Sequence, residues 1–354
     1  MKKISLFSII IVFLYCVCCS EENSIYCFDA NENLFLAYAF MNAAGYDHDW
    51  SQMHQIRVEI RDYLDKNLCR DLRAKMNDFY KQHGSGGFSS YGIYALLLSE
   101  SPEFIIKYDT LKQKDFLKEY EDLDALYRDF YEKANIKRLW KKYKPIIQRI
   151  NDEYRSFGEI ALNDIIRYCK LETDYFSKGT SKIYFTICPQ MSHFTAYTAE
   201  VNGNLYIIHG PSESDPGPGA FYHEALHHVI NPLTEKNINL VNQYKSLLEI
   251  TDDKRDIGYD DWESNVDDSF CRTIHKVLEG KYYKLSKDEI FKTVKDEYKL
   301  GFILCMHIFE KIYDYENSGK TFEEFFPTFF NTINIEKEKR RWQEFWQDNK
   351  SNGR

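Results

Sequence analysis

The pattern that decides the fold is Phe221-Tyr-His-Glu-Ala-Leu-His-His-Val-Ile-Asn-Pro232. Residues four apart lie on one face of a helix, so the imidazoles of His223 and His227 would meet at a single point. Two imidazoles at that spacing can hold one metal ion. A Pro/Gly-rich loop, Gly210 to Gly219, leads into the pattern. Pro232 is expected to end the helix after Asn231.

Glu224 follows the first of these histidines, where its carboxylate can reach a metal-bound water and accept a proton. This is the arrangement of zinc hydrolases. We therefore expect one Zn²⁺ per chain, with His223 and His227 as ligands and Glu224 as the general base. His228 lies about 100° around the helix from His227. We expect it to support the ligands or to lie on the surface.

A third protein ligand is needed, because catalytic zinc usually takes three and leaves one position for water. The acidic segment Tyr259 to Asp268 lies downstream, and Glu263 and Asp267 within it share one helical face. Glu263 is predicted as the third ligand, and Asp267 as the carboxylate that orients a ligand imidazole. Alternatively, Asp260 and Glu263 form a capping box at a helix start. The competing ligands are Asp256, Asp260 and Asp261.

A hydrolase also needs a donor that stabilises the oxyanion of its tetrahedral intermediate. The candidates, all downstream of the histidine pattern, are His307, His275, Tyr259 and Tyr283. None has a distinctive spacing, and a structural role is an alternative for each of them.

The rest of the chain predicts a predominantly helical α+β fold. From about Asp29 to Glu172 apolar residues recur at helical spacing, interrupted by a glycine-rich connector from His83 to Ser90. Three short runs rich in Ile, Val, Tyr and Thr then predict strands at Lys182 to Cys188, Phe194 to Val201 and Leu205 to His209. Asn202-Gly203 predicts a hairpin between the last two. A small sheet thus precedes the metal-binding helix, and helices follow it.

This organisation predicts a helical N-terminal subdomain over residues 20–180 and a catalytic subdomain over residues 181–354. Residues 1–19 are predicted to be a signal peptide, because two lysines precede an apolar stretch, Ile4 to Val17, that is too short to span a membrane comfortably. Cys19, followed by Ser20-Glu21-Glu22, resembles the lipidated residue of surface lipoproteins in some Gram-negative bacteria. Ordinary cleavage near Ser20 and an uncleaved anchor are the alternatives.

We therefore expect an exported protein of the cell envelope, an outer-membrane lipoprotein or otherwise a periplasmic or secreted protein. Membrane contact would be made only through the N-terminal lipid. The formal net charge of −9 argues against nucleic acid as a partner. Six cysteines remain after the signal, too few for a disulfide scaffold in a chain of 354 residues: Cys27, Cys69, Cys169, Cys188, Cys271 and Cys305.

The histidine pattern followed by Glu-x-x-x-Asp resembles the gluzincin clan of zinc metallopeptidases. That resemblance implies a peptide or protein substrate, and a substrate strand added to the hairpin Phe194 to His209. The hairpin can also simply pack beneath the helix. The metzincin pattern after His227 and the aspzincin Gly-Thr signature are absent.

From about Asn33 to Phe330 the chain is also similar to an uncharacterised family of exported bacterial proteins presumed to be metalloproteases. The similar segments are Ala43 to Tyr46, Tyr91 to Leu98 and the strand, loop and helix around His223.

The sequence therefore predicts a zinc-dependent peptidase. One alternative is a surface lipoprotein with a structural or inactive zinc site that binds a glycan or a protein. Another is a helical envelope protein that carries the histidine pattern by chance and binds no metal.

Overall fold

The computed structural model describes residues 24–46, 53–83, 87–108, 113–193, 195–212, 216–251 and 259–352. The predicted signal peptide, Cys19 and Asp256 lie outside these residues. Within them the predominantly helical α+β fold is confirmed. None of the described helices combines the length and apolar character that a membrane-spanning segment needs.

Seven described helices lie between residues 32 and 169, in keeping with the helical spacing of the first half. They are α1 (Glu32–Ala43), α2 (Gln55–Asn67), α3 (Arg70–Gln82), α4 (Phe88–Leu96), α5 (Lys114–Glu119), α6 (Leu123–Lys133) and α7 (Ile136–Cys169) among the described residues. Asn31 caps α1 by accepting a hydrogen bond from Leu34 N at 3.0 Å. Every residue of α1 from Leu34 to Ala43 is buried, so this helix lies at the centre of its core.

The sheet has four strands in the order β1-β2-β4-β3. They are β1 (Tyr26–Cys27), β2 (Lys182–Ile187), β3 (Ala196–Val201) and β4 (Asn204–His209). β2 is parallel to β1 and β4, whereas β3 is antiparallel to β4 and forms an edge. The three predicted strands are confirmed, and the two-residue strand β1 is an addition too short for an alternating pattern to reveal.

The predicted hairpin turn is confirmed by its backbone angles. Asn202 has φ 51° and Gly203 has φ 71°, so both central residues are in the left-handed region that a type I′ turn requires.

The described helices after the sheet are α8 (Gly219–Lys236), α9 (Ile238–Val241), α10 (Trp262–Tyr283), α11 (Lys287–Lys299), α12 (Cys305–Asn317), α13 (Phe322–Asn331) and α14 (Ile335–Asn352). A 3₁₀ segment, Asn242–Thr251, follows α9. Capping boxes at Ser286 and Thr321 satisfy backbone N–H groups at the N-termini of α11 and α13.

The chain divides into two compact units that differ from the predicted division at residue 180. The first unit contains residues up to Arg155 together with 176–214, and the second contains residues 156–175 and 215–354. The sheet therefore belongs with the N-terminal helices. The reason is packing: Tyr197 of β3 is buried, and its hydroxyl lies 3.0 Å from that of Tyr38 on α1.

Two glycines around β4 provide a test of this arrangement. A Cβ on Gly210 would lie 1.9 Å from the Ser192 carbonyl oxygen, whereas a Cβ on Gly203 would meet only Ser181 Oγ at 3.7 Å. Gly203→Ala should therefore lower the free energy of unfolding by about 1 kcal/mol, through backbone strain at its positive φ alone. Gly210→Ala should cost about 3 kcal/mol or more, because rigid backbone must move. Urea unfolding of the two variants checks the order, and equal losses would contradict it.

Candidate metal centre

The histidine pattern lies on α8 in the second unit, where it packs against α10. Contacts along the pair show that the helices are antiparallel, since Asp268 lies beside His223 and His275 lies beside Gly219. A Cβ on Gly219 would lie 2.7 Å from Glu279 Oε1 and 3.2 Å from His275 Nε2. Glycine at the start of α8 thus permits the close approach that sets the helix pair.

Pro232 does not end α8, contrary to expectation, because the helix continues to Lys236. A proline has no N–H, so the carbonyl oxygen of the residue four positions earlier loses its helical donor. That oxygen belongs to His228, and the Tyr175 hydroxyl donates to it at 2.9 Å. A side chain from outside the helix therefore replaces the missing bond, and Asn231 stays helical.

Three donor groups converge between α8 and α10. His223 Nε2 lies 3.3 Å from His227 Nε2 and 3.4 Å from Asp268 Oδ1. One donor atom from each of the three residues lies within 4.8 Å of the other two. The histidine pair is thus brought together as the spacing predicts, but its carboxylate partner is Asp268.

Two of the three separations between these donors match those of a tetrahedral zinc site. Ligands at about 2.0–2.1 Å from zinc in tetrahedral geometry lie about 3.3–3.4 Å from one another. The two closest pairs of donor atoms have these separations. Burial lowers the pKa of His223 well below its usual value, so its imidazole is neutral and has a lone pair to share.

His227 is oriented by its own helix. Its Nδ1 lies 3.1 Å from the side-chain oxygen of Asn231, four residues on. A proton on Nδ1 would satisfy that contact and leave Nε2 free to bind a metal. The same role is predicted for Asp267, which also interacts electrostatically with His227; Asn231 is a contact of His227 that the prediction did not include.

Glu224 is buried close to the donors. Its Oε1 lies 4.0 Å from His223 Nε2. Burial, together with the charge of Asp268, raises the pKa of Glu224 to about 8, while the Arg272 guanidinium acts in the opposite direction. A divalent cation in this position would favour the ionised carboxylate, the form that accepts a proton.

Glu263 and Asp267 share one helical face, as predicted, but neither belongs to the donor group among the described residues. Asp268 follows Asp267 directly in sequence, so its side chain points about 100° around the helix from that of Asp267. Glu263 is exposed and lies 3.5 Å from the Asn242 amide. Burial raises the pKa of Asp267 to about 6. Asp261 is the N-cap of α10, accepting from Ser264 N at 2.8 Å.

The oxyanion candidates fall in different places. The Tyr259 hydroxyl hydrogen-bonds to Asp268, and burial together with this charge raises the pKa of Tyr259. His275 lies near His223, with 6.0 Å between ring centroids, and faces Glu279. His307 instead lies 2.7 Å from the Phe329 carbonyl oxygen, as a buried residue of α12. Tyr283 is half-exposed at the end of α10.

Charge supports a cation at this place. Ion pairs connect, in order, Asp268, Arg272, Glu297, Lys276 and Glu279. Three of these are carboxylates and two are cations, and Glu224 adds another buried carboxylate beside Asp268. The ion-paired residues alone carry one formal negative charge, and Glu224 adds a second in the ionised form that a bound cation would favour. Buried carboxylates require compensation, and one divalent cation would supply it.

Sequence reasoning missed Asp268, Arg272 and Asn231. The missed signal is the spacing of polar residues along α10, where Asp268, Arg272, His275 and Glu279 recur at four, three and four residues. Residues at that spacing lie on one face of a helix, so these four form a polar stripe along α10 between largely apolar positions.

Comparison with known proteins places these residues within one family. Residues 103–332, well over half of the chain, match the family described as Domain of unknown function (DUF4932). The chain belongs to this family, which fits the predicted similarity to an uncharacterised family. All the residues of the candidate centre lie within the matched range. No curated protein and no solved structure matches the chain.

The bond from Tyr175 to His228 can be tested by a double-mutant cycle. Tyr175→Phe should cost about 1 kcal/mol, because it removes the hydroxyl that donates to the His228 carbonyl oxygen. In the Pro232→Ala background the N–H of the introduced alanine can donate to the same carbonyl, so the cost should nearly vanish. Thermal unfolding of the four proteins measures the coupling. Equal costs in both backgrounds would contradict the account.

Proposed function

We propose that this chain is a zinc-dependent hydrolase that cleaves peptide bonds. The proposal rests on one observation, the convergence of His223 Nε2, His227 Nε2 and the Asp268 carboxylate beside the buried Glu224. In this proposal Asp268 takes the third-ligand role first assigned to Glu263. Three protein donors leave a fourth position, which favours a catalytic site over a structural one.

Zinc, when bound, polarises a carbonyl group and supplies a water of lowered pKa. The remaining chemistry belongs to the chain. Glu224 accepts the proton of the attacking water at a carboxylate oxygen and later delivers it to the leaving amine. Its carboxylate is buried beside the donor set, with Oε1 4.0 Å from His223 Nε2.

Tyr259 is the oxyanion donor that the site supports best. Its hydroxyl hydrogen-bonds to Asp268, and the residue remains 46% exposed. A phenol at that position can donate to a developing oxyanion. His275 faces Glu279, and His307 is engaged by a backbone carbonyl elsewhere.

The proposal that the substrate is a peptide, as distinct from hydrolysis in general, rests mainly on the gluzincin resemblance. The histidine pattern and Glu224 support that resemblance, whereas Asp268 in place of Glu263 departs from it. The addition of a substrate strand to the hairpin remains a prediction from that resemblance. Export and lipid anchoring remain predictions.

Metal content of point variants tests the ligand set. Wild-type protein dialysed against zinc should retain about one ion per chain. His223→Ala and Asp268→Ala should lose most of it, because each removes a donor. Glu263→Ala is the matched control on the same helix and should retain it. Elemental analysis by mass spectrometry gives the stoichiometry. If Asp268→Ala retained zinc and Glu263→Ala lost it, the third ligand would be Glu263, as the sequence predicts.

Glu224→Gln tests the mechanism separately. It keeps the size of the side chain but cannot accept the proton, so hydrolysis should fall by about a hundredfold or more. Its zinc content should equal that of the wild type. Cleavage of a broad peptide library, followed by mass spectrometry, measures the loss. Turnover equal to wild type would eliminate Glu224 as the base, and a zinc-loaded wild type that cleaves nothing would favour the non-catalytic alternative.

A further inference from the structure

Arg272 lies on α10 one turn after Asp268 and contacts the carboxylate oxygen that faces the histidines. Its Nε lies 3.1 Å from Asp268 Oδ1, and the same oxygen lies 3.4 Å from His223 Nε2. One oxygen of the candidate ligand thus meets an imidazole on one side and a guanidinium on the other.

The guanidinium is itself held from two further directions. Its Nη1 donates to Glu297 Oε2 on α11 at 2.7 Å, and its Cζ lies 4.0 Å from the centre of the Phe302 ring. Lys276 approaches the other oxygen of Glu297 at 3.6 Å. A planar guanidinium fixed by a carboxylate and a stacked ring has little freedom to turn.

Fixing Arg272 also fixes Asp268. The Asp268 side chain is 3% exposed, so almost no water is available to compete for its oxygens. A charged donor on a ligating carboxylate sets the direction of its lone pairs and withdraws electron density from it. The ion pair therefore determines where the third donor atom lies relative to the two imidazoles.

We propose that Arg272 is the positioning residue of the metal centre, holding Asp268 in the rotamer that completes the three-donor set. This inference rests on the proposed zinc site but not on peptide hydrolysis. Arg272 contacts the donor set at Asp268 Oδ1. A purely structural ion pair would change the stability of the apoprotein and leave the metal-binding geometry unaltered.

Arg341 offers a matched control in the same unit. Its guanidinium is 12% exposed and forms ion pairs with two carboxylates, Glu310 at 2.6 Å and Glu338 at 3.0 Å. Arg341→Gln therefore removes a comparable buried network at a place where no donor of the metal centre takes part.

The experiment compares wild type, Arg272→Gln, Arg272→Lys and Arg341→Gln as full chains. Zinc affinity is measured by competition with a chelator, and donor geometry by the visible absorption spectrum of the Co²⁺ forms. Arg272→Gln should bind zinc about 10–100-fold more weakly, with an altered cobalt spectrum. Arg272→Lys should recover part of the affinity, because it keeps the charge without the planar fork. Arg341→Gln should match wild type in both measurements.

Wild-type affinity and spectrum in Arg272→Gln would overturn the inference while leaving the zinc site intact. An equal loss in Arg341→Gln would also overturn it, since the effect would then be general destabilisation. If Arg272→Gln does not fold, Glu297→Gln loosens the guanidinium without touching Asp268. That variant should weaken zinc binding several-fold, and unchanged affinity would overturn the inference. Failure of wild type to bind zinc would instead remove the proposed function itself.

Discussion

The close antiparallel contact between α8 and α10 is the constraint on which the candidate centre depends. His223 and His227 come from one helix and Asp268 from the other, so the donor set exists only while the two helices keep their register. Gly219 leaves space for side chains of α10 at the start of α8, because a Cβ there would lie 2.7 Å from Glu279 Oε1 and 3.2 Å from His275 Nε2. The helix pair thus determines both the spacing of the donors and their burial.

Two supports outside the donor set maintain the geometry. The Tyr175 hydroxyl satisfies the carbonyl that Pro232 leaves without a helical partner, so α8 remains helical beyond the histidines. Arg272 links Asp268 to Glu297 on α11, which connects the centre to a third helix. Both supports satisfy buried polar groups that would otherwise destabilise the fold.

Local patterns in the chain predicted three of the four strands and the residues that α8 contributes to the candidate centre. Strand composition and the Asn202-Gly203 turn identified β2, β3 and β4, because these signals depend on neighbouring residues alone. The spacing of His223 and His227 was equally local. The prediction that Pro232 ends α8 was wrong, because the donor that allows the helix to continue is a residue from a distant part of the chain.

The sequence by itself determined the helix, its two imidazoles and the carboxylate of Glu224, since all lie within five consecutive residues of one element. Tertiary structure decided which acid on α10 joins them. Asp267 and Asp268 are adjacent in sequence but about 100° apart around the helix, so the rotation of α10 against α8 selects between them. That rotation follows from packing over the length of both helices. Packing likewise assigned the sheet to the N-terminal unit, because Tyr197, Val201 and Ile208 of its strands share one buried core with α1.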